Sequence, residues 1–183
     1  MAESAQDVVA ATRTWLKRAV IGLGLCPFAT QAHLHDRIRY RVSTQESPTG
    51  LVEDLSQELQ FLRDADPQRC ETSLLIHPRV LDDFRDYNEF LNEAEAMVDT
   101  LGLAGELQIA SFHPRYQFAG SAPDAIENYC NRSPYPMLHL LREASITRAV
   151  AHFPGVSQIG ADNSATLQRL GHSGWERLWL GAR

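Results

Sequence analysis

The stretch IASFHPRYQFAG (109–120), SAPDAIENYCNRSPYP (121–136) and MLHLLRE (137–143) is the densest run of hydrogen-bonding, ionisable and aromatic side chains in the chain. Its first residues, up to Phe112, read as a strand closed by His113-Pro114, and a polar loop follows. Ser133-Pro134 has the form of an N-cap and first helical position. A helix is therefore predicted from there to about Phe153, ended by Pro154-Gly155. The segment reads as strand, loop and helix.

Working outward, the upstream chain alternates helices and strands. Ser4 and Asp7 have capping-box spacing. Val8, Thr12, Trp15, Leu16, Ala19, Val20 and Leu23 recur at helical spacing, predicting an amphipathic helix over 5–23. Cys26-Pro27 has the form of a second N-cap. Residues 37–44 alternate charged and apolar side chains, as a strand with one polar face does. After a turn at Pro48-Thr49-Gly50, Leu51, Leu55, Leu59 and Leu62 form a helical stripe that ends near Pro67. Thr72 to Ile76 is a short apolar strand closed by His77-Pro78. Val80, Leu81, Phe84, Tyr87, Leu91, Ala94, Val98 and Leu101 give a long helix, with Gly102 as its C-terminal cap. In the tail, 157–183, Leu167, Leu170, Trp175, Leu178 and Trp179 are apolar anchors for one or two further helices.

Strands joined by helical crossovers are normally parallel, and ligands bind outside their C-terminal ends. The expected fold is α/β: a small, mostly parallel sheet flanked by helices, with a helical C-terminal extension, in one domain over 1–183. An antiparallel insertion would make the sheet mixed. Both His-Pro pairs fall at strand ends, so topology alone would bring His77 and His113 to one edge.

Composition narrows the function classes. The chain has 183 residues, 44% of them hydrophobic, and a net charge of -6. That charge disfavours nucleic acid and anionic membrane surfaces, whose recognition needs clustered positive charge. No apolar run approaches the roughly 20 residues of a membrane helix. The first residues lack the basic and apolar regions of a secretory signal. Three cysteines, Cys26, Cys70 and Cys130, are an odd number without CxxC pairing, which fits a reducing cytoplasm. There is no Walker A, GxGxxG, GxSxG or HExxH motif.

Three constellations could carry chemistry. Cys26 at a helix N-terminus would have a lowered pKa and act as a nucleophile, with His77 or His113 as its base. The alternative for Cys26 is a small buried hydrophobe. His139 and Glu143, four apart on the predicted helix, would join His113 as ligands for zinc or iron. The alternative is an ordinary surface pair beside Arg142. Asn131, Arg132 and Ser133 precede a helix N-terminus, where free N–H groups attract an anion, and Arg115, Asn128 and Tyr135 would complete that site. The alternative there is simple capping. His33 and His35 flank Leu34 as a further two-histidine pair.

Several of these segments are also familiar as a set. TRTWL (12–16), LCPFA (25–29), SFHP (111–114) with YQFAG (116–120), ENYCNRSPYP (127–136) with LHLLRE (138–143), and LGHSGW (170–175) resemble the bacterial and plant family called domain of unknown function 1415. The resemblance implies a soluble single-domain protein. It implies that Cys26, His113, Asn131, Arg132, Tyr135, His139 and Glu143 occupy motif positions, and assigns them no roles. Cys130 stands where similar sequences are expected to carry threonine, which argues against it as the nucleophile.

The expected function is that of an enzyme acting on a small anionic metabolite under the loop 113–136. The alternative is a non-catalytic module that binds a metal, a haem-like cofactor or a partner protein through that loop. Its aromatic residues, Tyr116, Phe118, Tyr129 and Tyr135, are of the type enriched at interfaces.

Overall fold

The computed structural model describes residues 3–153 and 155–178. Pro154, placed above as a helix stop, and Trp179, placed as a tail anchor, lie outside the described residues. The elements in chain order are α1 (Ala5–Trp15), continued by a π-helical stretch (Leu16–Ile21), α2 (Ala29–Leu34), β1 (Ile38–Val42), α3 (Pro48–Asp64), β2 (Thr72–Ile76), α4 (Phe84–Thr100) and β3 (Leu107–Phe112). A 3-10 segment (Ile126–Asn131), β4 (Met137–Arg142), α5 (Glu143–His152), a second 3-10 turn (Val156–Gln158) and α6 (Ile159–Leu178) follow among the described residues. α6 is interrupted at Gly171, whose φ of 64° is available to glycine without a Cβ clash.

The fold is α/β around a four-stranded sheet in the order β1-β2-β4-β3. β1 and β2 are parallel, while β4 runs antiparallel to both β2 and β3. The sheet is therefore mixed, with β1, β2 and β3 pointing one way and β4 the other.

β4 corrects the predicted helix over 133–153. A continuous apolar run such as Met137-Leu138 suits a buried helix and a buried strand equally, and periodicity cannot separate them. Here β2 and β3 leave a gap between them, and the run fills it. Its backbone groups then pair on both sides, and Met137, Leu138 and Leu140 are buried. Ser133 is not an N-cap; its hydroxyl donates to the Tyr135 carbonyl at 2.7 Å. The helix begins only at Glu143, without a side-chain cap.

The two faces of the sheet carry separate cores. α3 and α4 pack together on one face, where Leu51, Leu55, Leu59, Tyr87 and Phe90 meet Leu75, Leu138 and Leu140. On the other face α1, the π-helical stretch and α6 bring Val8, Trp15, Leu16, Leu167 and Trp175 onto Leu74, Ile76 and Met137. Alternation along each strand produces this division. The Ser4–Asp7 capping box forms, and Gly102 adopts the left-handed conformation of a helix C-cap at φ 68°. α4 starts at Phe84 rather than Val80, because Asp83 accepts from the N–H groups of Arg85 and Asp86 and caps it.

Two acidic side chains of α3 are buried against the sheet. Asp54 accepts from the Ser43 hydroxyl at 2.6 Å, and Glu58 is held by Arg39 at 2.7 Å and by Ser73. Buried carboxylates persist only when paired or hydrogen-bonded, and both are.

Tyr87 is the pivotal contact between α4 and the sheet. Its hydroxyl donates to the Met137 carbonyl at 2.8 Å and accepts from the Phe112 N–H at 3.0 Å. Phe112 and Met137 are partners at one end of the β3–β4 ladder. Tyr87→Phe would strip both groups of a partner in a fully buried setting. We expect it to lower unfolding stability by about 1–3 kcal/mol, read from urea denaturation midpoints. An unchanged midpoint would show that the hydroxyl is dispensable.

Candidate functional site

The strand C-terminal edge is where sequence reasoning placed the site. His77 follows β2, His113 follows β3, and both rings pack on Tyr87, with centroid separations of 5.8 and 5.0 Å. Both are fully buried. His77 Nδ1 faces the Val80 carbonyl at 2.8 Å, and its Nε2 has no partner. His113 Nδ1 accepts from the Arg115 N–H at 3.0 Å, so its Nε2–H donates to the Leu81 carbonyl at 3.1 Å. Burial, the dominant influence, pushes His77 down to about 4 and lowers His113. The topology brings the two histidines to one edge, where both rings pack on Tyr87 and His113 adds to the lowering of the His77 pKa.

The loop 113–136 uses its polar side chains to tie itself together and to the elements around it. Buried Asn128 accepts from Phe118 N–H and the Ser121 hydroxyl and donates to the Ala122 carbonyl. Asn131 donates to Ser111 O at 3.0 Å. Arg132 donates to Tyr116 O and Pro123 O and lies over the Tyr129 ring at 4.2 Å. Arg115 pairs with Asp82 at 3.1 Å and also donates to that residue's carbonyl. Tyr135 donates its hydroxyl to Glu3 at 2.8 Å. The crowding of these residues follows from the backbone groups of a long irregular segment, which must find partners.

His139 and Glu143 do not lie one turn apart on a helix: His139 is inside β4 and Glu143 opens α5. Among the described residues no three His, Cys, Asp or Glu side chains are placed to hold a metal ion, so His113, His139 and Glu143 do not form a ligand set. Cys26 stands three residues ahead of the first residue of α2, whose N-cap is Phe28. Its thiol meets the Phe28 and Ala29 N–H groups, as expected at a helix start. Burial outweighs them, and the Cys26 pKa is raised rather than lowered.

The structure offers a different concave site. A cavity of about 770 Å³ lies on the sheet face opposite α3 and α4. Its floor is made by Leu74, Ala110, Phe112, His139 and Leu141. Trp15, Leu16 and Val20 wall one side, with Cys26 and Phe28 beside them, and Ile146, Ala149 and Phe153 wall another. Phe28 and Phe153 meet edge to face, with centroids 6.1 Å apart.

One end of the cavity is charged. Arg37 precedes β1, Glu71 precedes β2 and Arg142 ends β4. Sheet register brings these ends together, because Ile38 pairs with Thr72 and Thr72 with Leu141. Arg37 and Arg148 lie 3.5 and 3.9 Å from Glu71. Arg142 donates to the Ala65 and Cys70 carbonyls at 2.7 and 3.1 Å. The Nε groups of Arg37 and Arg142 are buried without a partner. Three guanidinium groups thus share Glu71, with Asp66 a further acidic neighbour of Arg142. Burial also lowers the Arg142 pKa.

Inside the cavity, His139 Nε2 lies 2.7 Å from Thr72 Oγ1, which is 2.6 Å from the Leu140 carbonyl. The imidazole is closely surrounded, and burial pushes its pKa down to about 4. Sequence reasoning missed Thr72, Arg37 and Arg148 altogether. The only usable signal was a pair of arginines flanking strands, at Arg37 and Arg142. Their convergence depends on β4 being a strand.

The chain thus combines a mixed α/β topology with an apolar, arginine-ended cavity. The family described as protein of unknown function (DUF1415) matches residues 7–177, so the chain belongs to that family. No curated protein and no solved structure matches the chain. Among the described residues, no helix is long and apolar enough to cross a membrane.

Two measurements check these environments. His77 and His139 are depressed to about 4 from 6.5. They stay neutral in the folded state while the unfolded chain takes up protons below that value. Their contribution is complete above pH 6.5 and is lost as pH falls toward 4, at up to about 1.4 kcal/mol per pH unit per histidine. Urea midpoints should therefore drop steeply between pH 7.5 and 5; a flat profile would contradict the assignment. For Cys26, iodoacetamide alkylation followed by mass spectrometry should be slow at pH 7 and still be rising, without a plateau, at pH 9. A rate plateau below pH 8 would mean an activated thiolate.

Proposed function

We propose that the protein binds a small molecule with an apolar body and an anionic head, such as a carboxylate, in the cavity between the sheet and the N-terminal layer. The observation that carries this is the 770 Å³ apolar cavity with the Arg37, Arg142 and Arg148 cluster at one end. Its volume lies within the range of small-molecule pockets, about 300–1,000 Å³. Apolar walls favour the body by roughly 0.8 kcal/mol per buried methylene, offset by the cost of association. The guanidinium groups of the cluster gain from an oxyanion, because hydrogen bonds to charged groups contribute about 1.5–3 kcal/mol. The ligand expected from sequence, a small anion, is kept; its place moves from the loop 113–136 to the opposite end of the sheet.

Catalysis on that ligand is a second reading, favoured because Cys26 and His139 line the same cavity. It demands a thiolate, so the alkylation profile of Cys26 is its test.

Fluorescence titration with 1-anilinonaphthalene-8-sulfonate, an apolar body bearing an anion, should show one saturable site. Decanoate should displace it about tenfold more strongly than decanol, a difference of about 1.4 kcal/mol. The double variant Arg37→Gln, Arg148→Gln should remove most of that preference. Equal displacement by decanoate and decanol, or no saturable binding, would defeat the proposal.

A further inference from the structure

The hydrogen-bond chain beneath the cavity restricts the ligand further, on the basis of the anion-binding proposal above. A carbonyl oxygen only accepts, so the contact between Thr72 Oγ1 and Leu140 O at 2.6 Å uses the single hydroxyl proton of Thr72. The 2.7 Å contact between Thr72 Oγ1 and His139 Nε2 must then be an N–H donated by the imidazole. The proton of neutral His139 is thereby fixed on Nε2, and Nδ1 is left as a lone pair. No hydrogen bond is made to Nδ1 within the described residues. The side chain alternates with Leu138 and Leu140, which face the α3–α4 core, so it stands on the cavity side and lines the cavity. Its register partners in the sheet, Leu74 and Ala110, are apolar, while Gln108 supplies a side-chain donor further along β3.

We infer that the ligand carries a hydroxyl or N–H donor along its apolar body, received by His139 Nδ1 at the cavity floor while the arginine cluster holds the anionic head. His139 and Arg142 are three residues apart in an extended strand, roughly 10 Å along the backbone. The donor therefore lies along the body and apart from the head. A site built to receive such a donor discriminates against an analogue lacking it, because the buried lone pair is then left unpaired. Thr72 acts through His139 and is a positioning residue: without it the Nε2–H tautomer loses its partner.

The test has two parts. In the unliganded protein, imidazole ¹⁵N and ¹³C shifts of His139 should report the neutral Nε2–H tautomer at pH 7. An Nδ1–H tautomer or an imidazolium there overturns the inference whatever binds. Displacement titrations then compare matched acids: decanoate against 2-, 3- and 10-hydroxydecanoate, and 3-phenylpropionate against 3-(4-hydroxyphenyl)propionate. At least one hydroxylated acid should bind tenfold more tightly than its parent, and its addition should shift the His139 Nδ1 resonance. In His139→Phe the ratio of hydroxylated to parent affinity should fall to near one, and in Thr72→Val it should fall in part. If the parent acids bind and no hydroxylated acid gains, the inference fails while the anion-binding proposal stands. If no acid of either kind binds, that proposal fails and takes the inference with it.

Discussion

The constraint on which the structure depends is the pairing of β2 and β3 through a strand that runs against both. Two buried strands separated by a gap would leave two rows of N–H and C=O groups unpaired, at a cost no packing could offset. β4 satisfies both rows at once. Its insertion aligns Ile38, Thr72 and Leu141 across the sheet, and so sets Arg37, Glu71 and Arg142 side by side beyond them. It also places Phe112 opposite Met137, where the Tyr87 hydroxyl joins α4 to the ladder. The cavity and the histidine edge are two outcomes of one pairing decision.

The polar groups fall into two kinds. Asp54, Glu58 and the side chains of the loop 113–136 have partners, and they shape and hold the molecule. Asn128 and Arg132 in particular replace regular secondary structure over a long irregular segment. Against that background the unpartnered groups stand out: the Nε atoms of Arg37 and Arg142, and Nδ1 of His139. All three belong to residues that line the cavity. The Tyr40 hydroxyl and His77 Nε2 are also unpartnered, but neither residue lines the cavity, and His77 is enclosed beside Tyr87 at the other end of the sheet.

Much of this architecture was legible in the sequence. The leucine stripe of α3, the Ser4–Asp7 cap, the apolar strand 72–76 and the Gly102 terminus each follow from a local rule, and each forms. The error lay at 133–153, where Ser133-Pro134 mimics a helix start. Choosing between helix and strand for Met137 to Leu141 requires knowing that β2 and β3 are separated, which is tertiary information. The misplacement carried into function, because a helical His139 and Glu143 suggested a metal site. As a strand residue, His139 instead meets Thr72, 67 positions away. Cys26 shows a related limit. Cys-Pro suggests a helix start at Cys26, but α2 begins at Ala29 with Phe28 as its N-cap, and the burial that raises the thiol's pKa is not visible in the sequence at all.

The covering of the cavity differs from the rest of the molecule. α5 has no fully buried residue, and α2 has only Ala32, whereas α3 and α4 present continuous buried stripes. Local opening free energy follows buried contact. The α2 and α5 side of the cavity is therefore the pliant part of the front, set against the rigid α3–α4 back and the buried wall of Trp15, Leu16 and Val20. Amide exchange would register that difference as a gradient across the sheet. A guest molecule could then come and go through the pliant front while the strands that define its seat stay fixed.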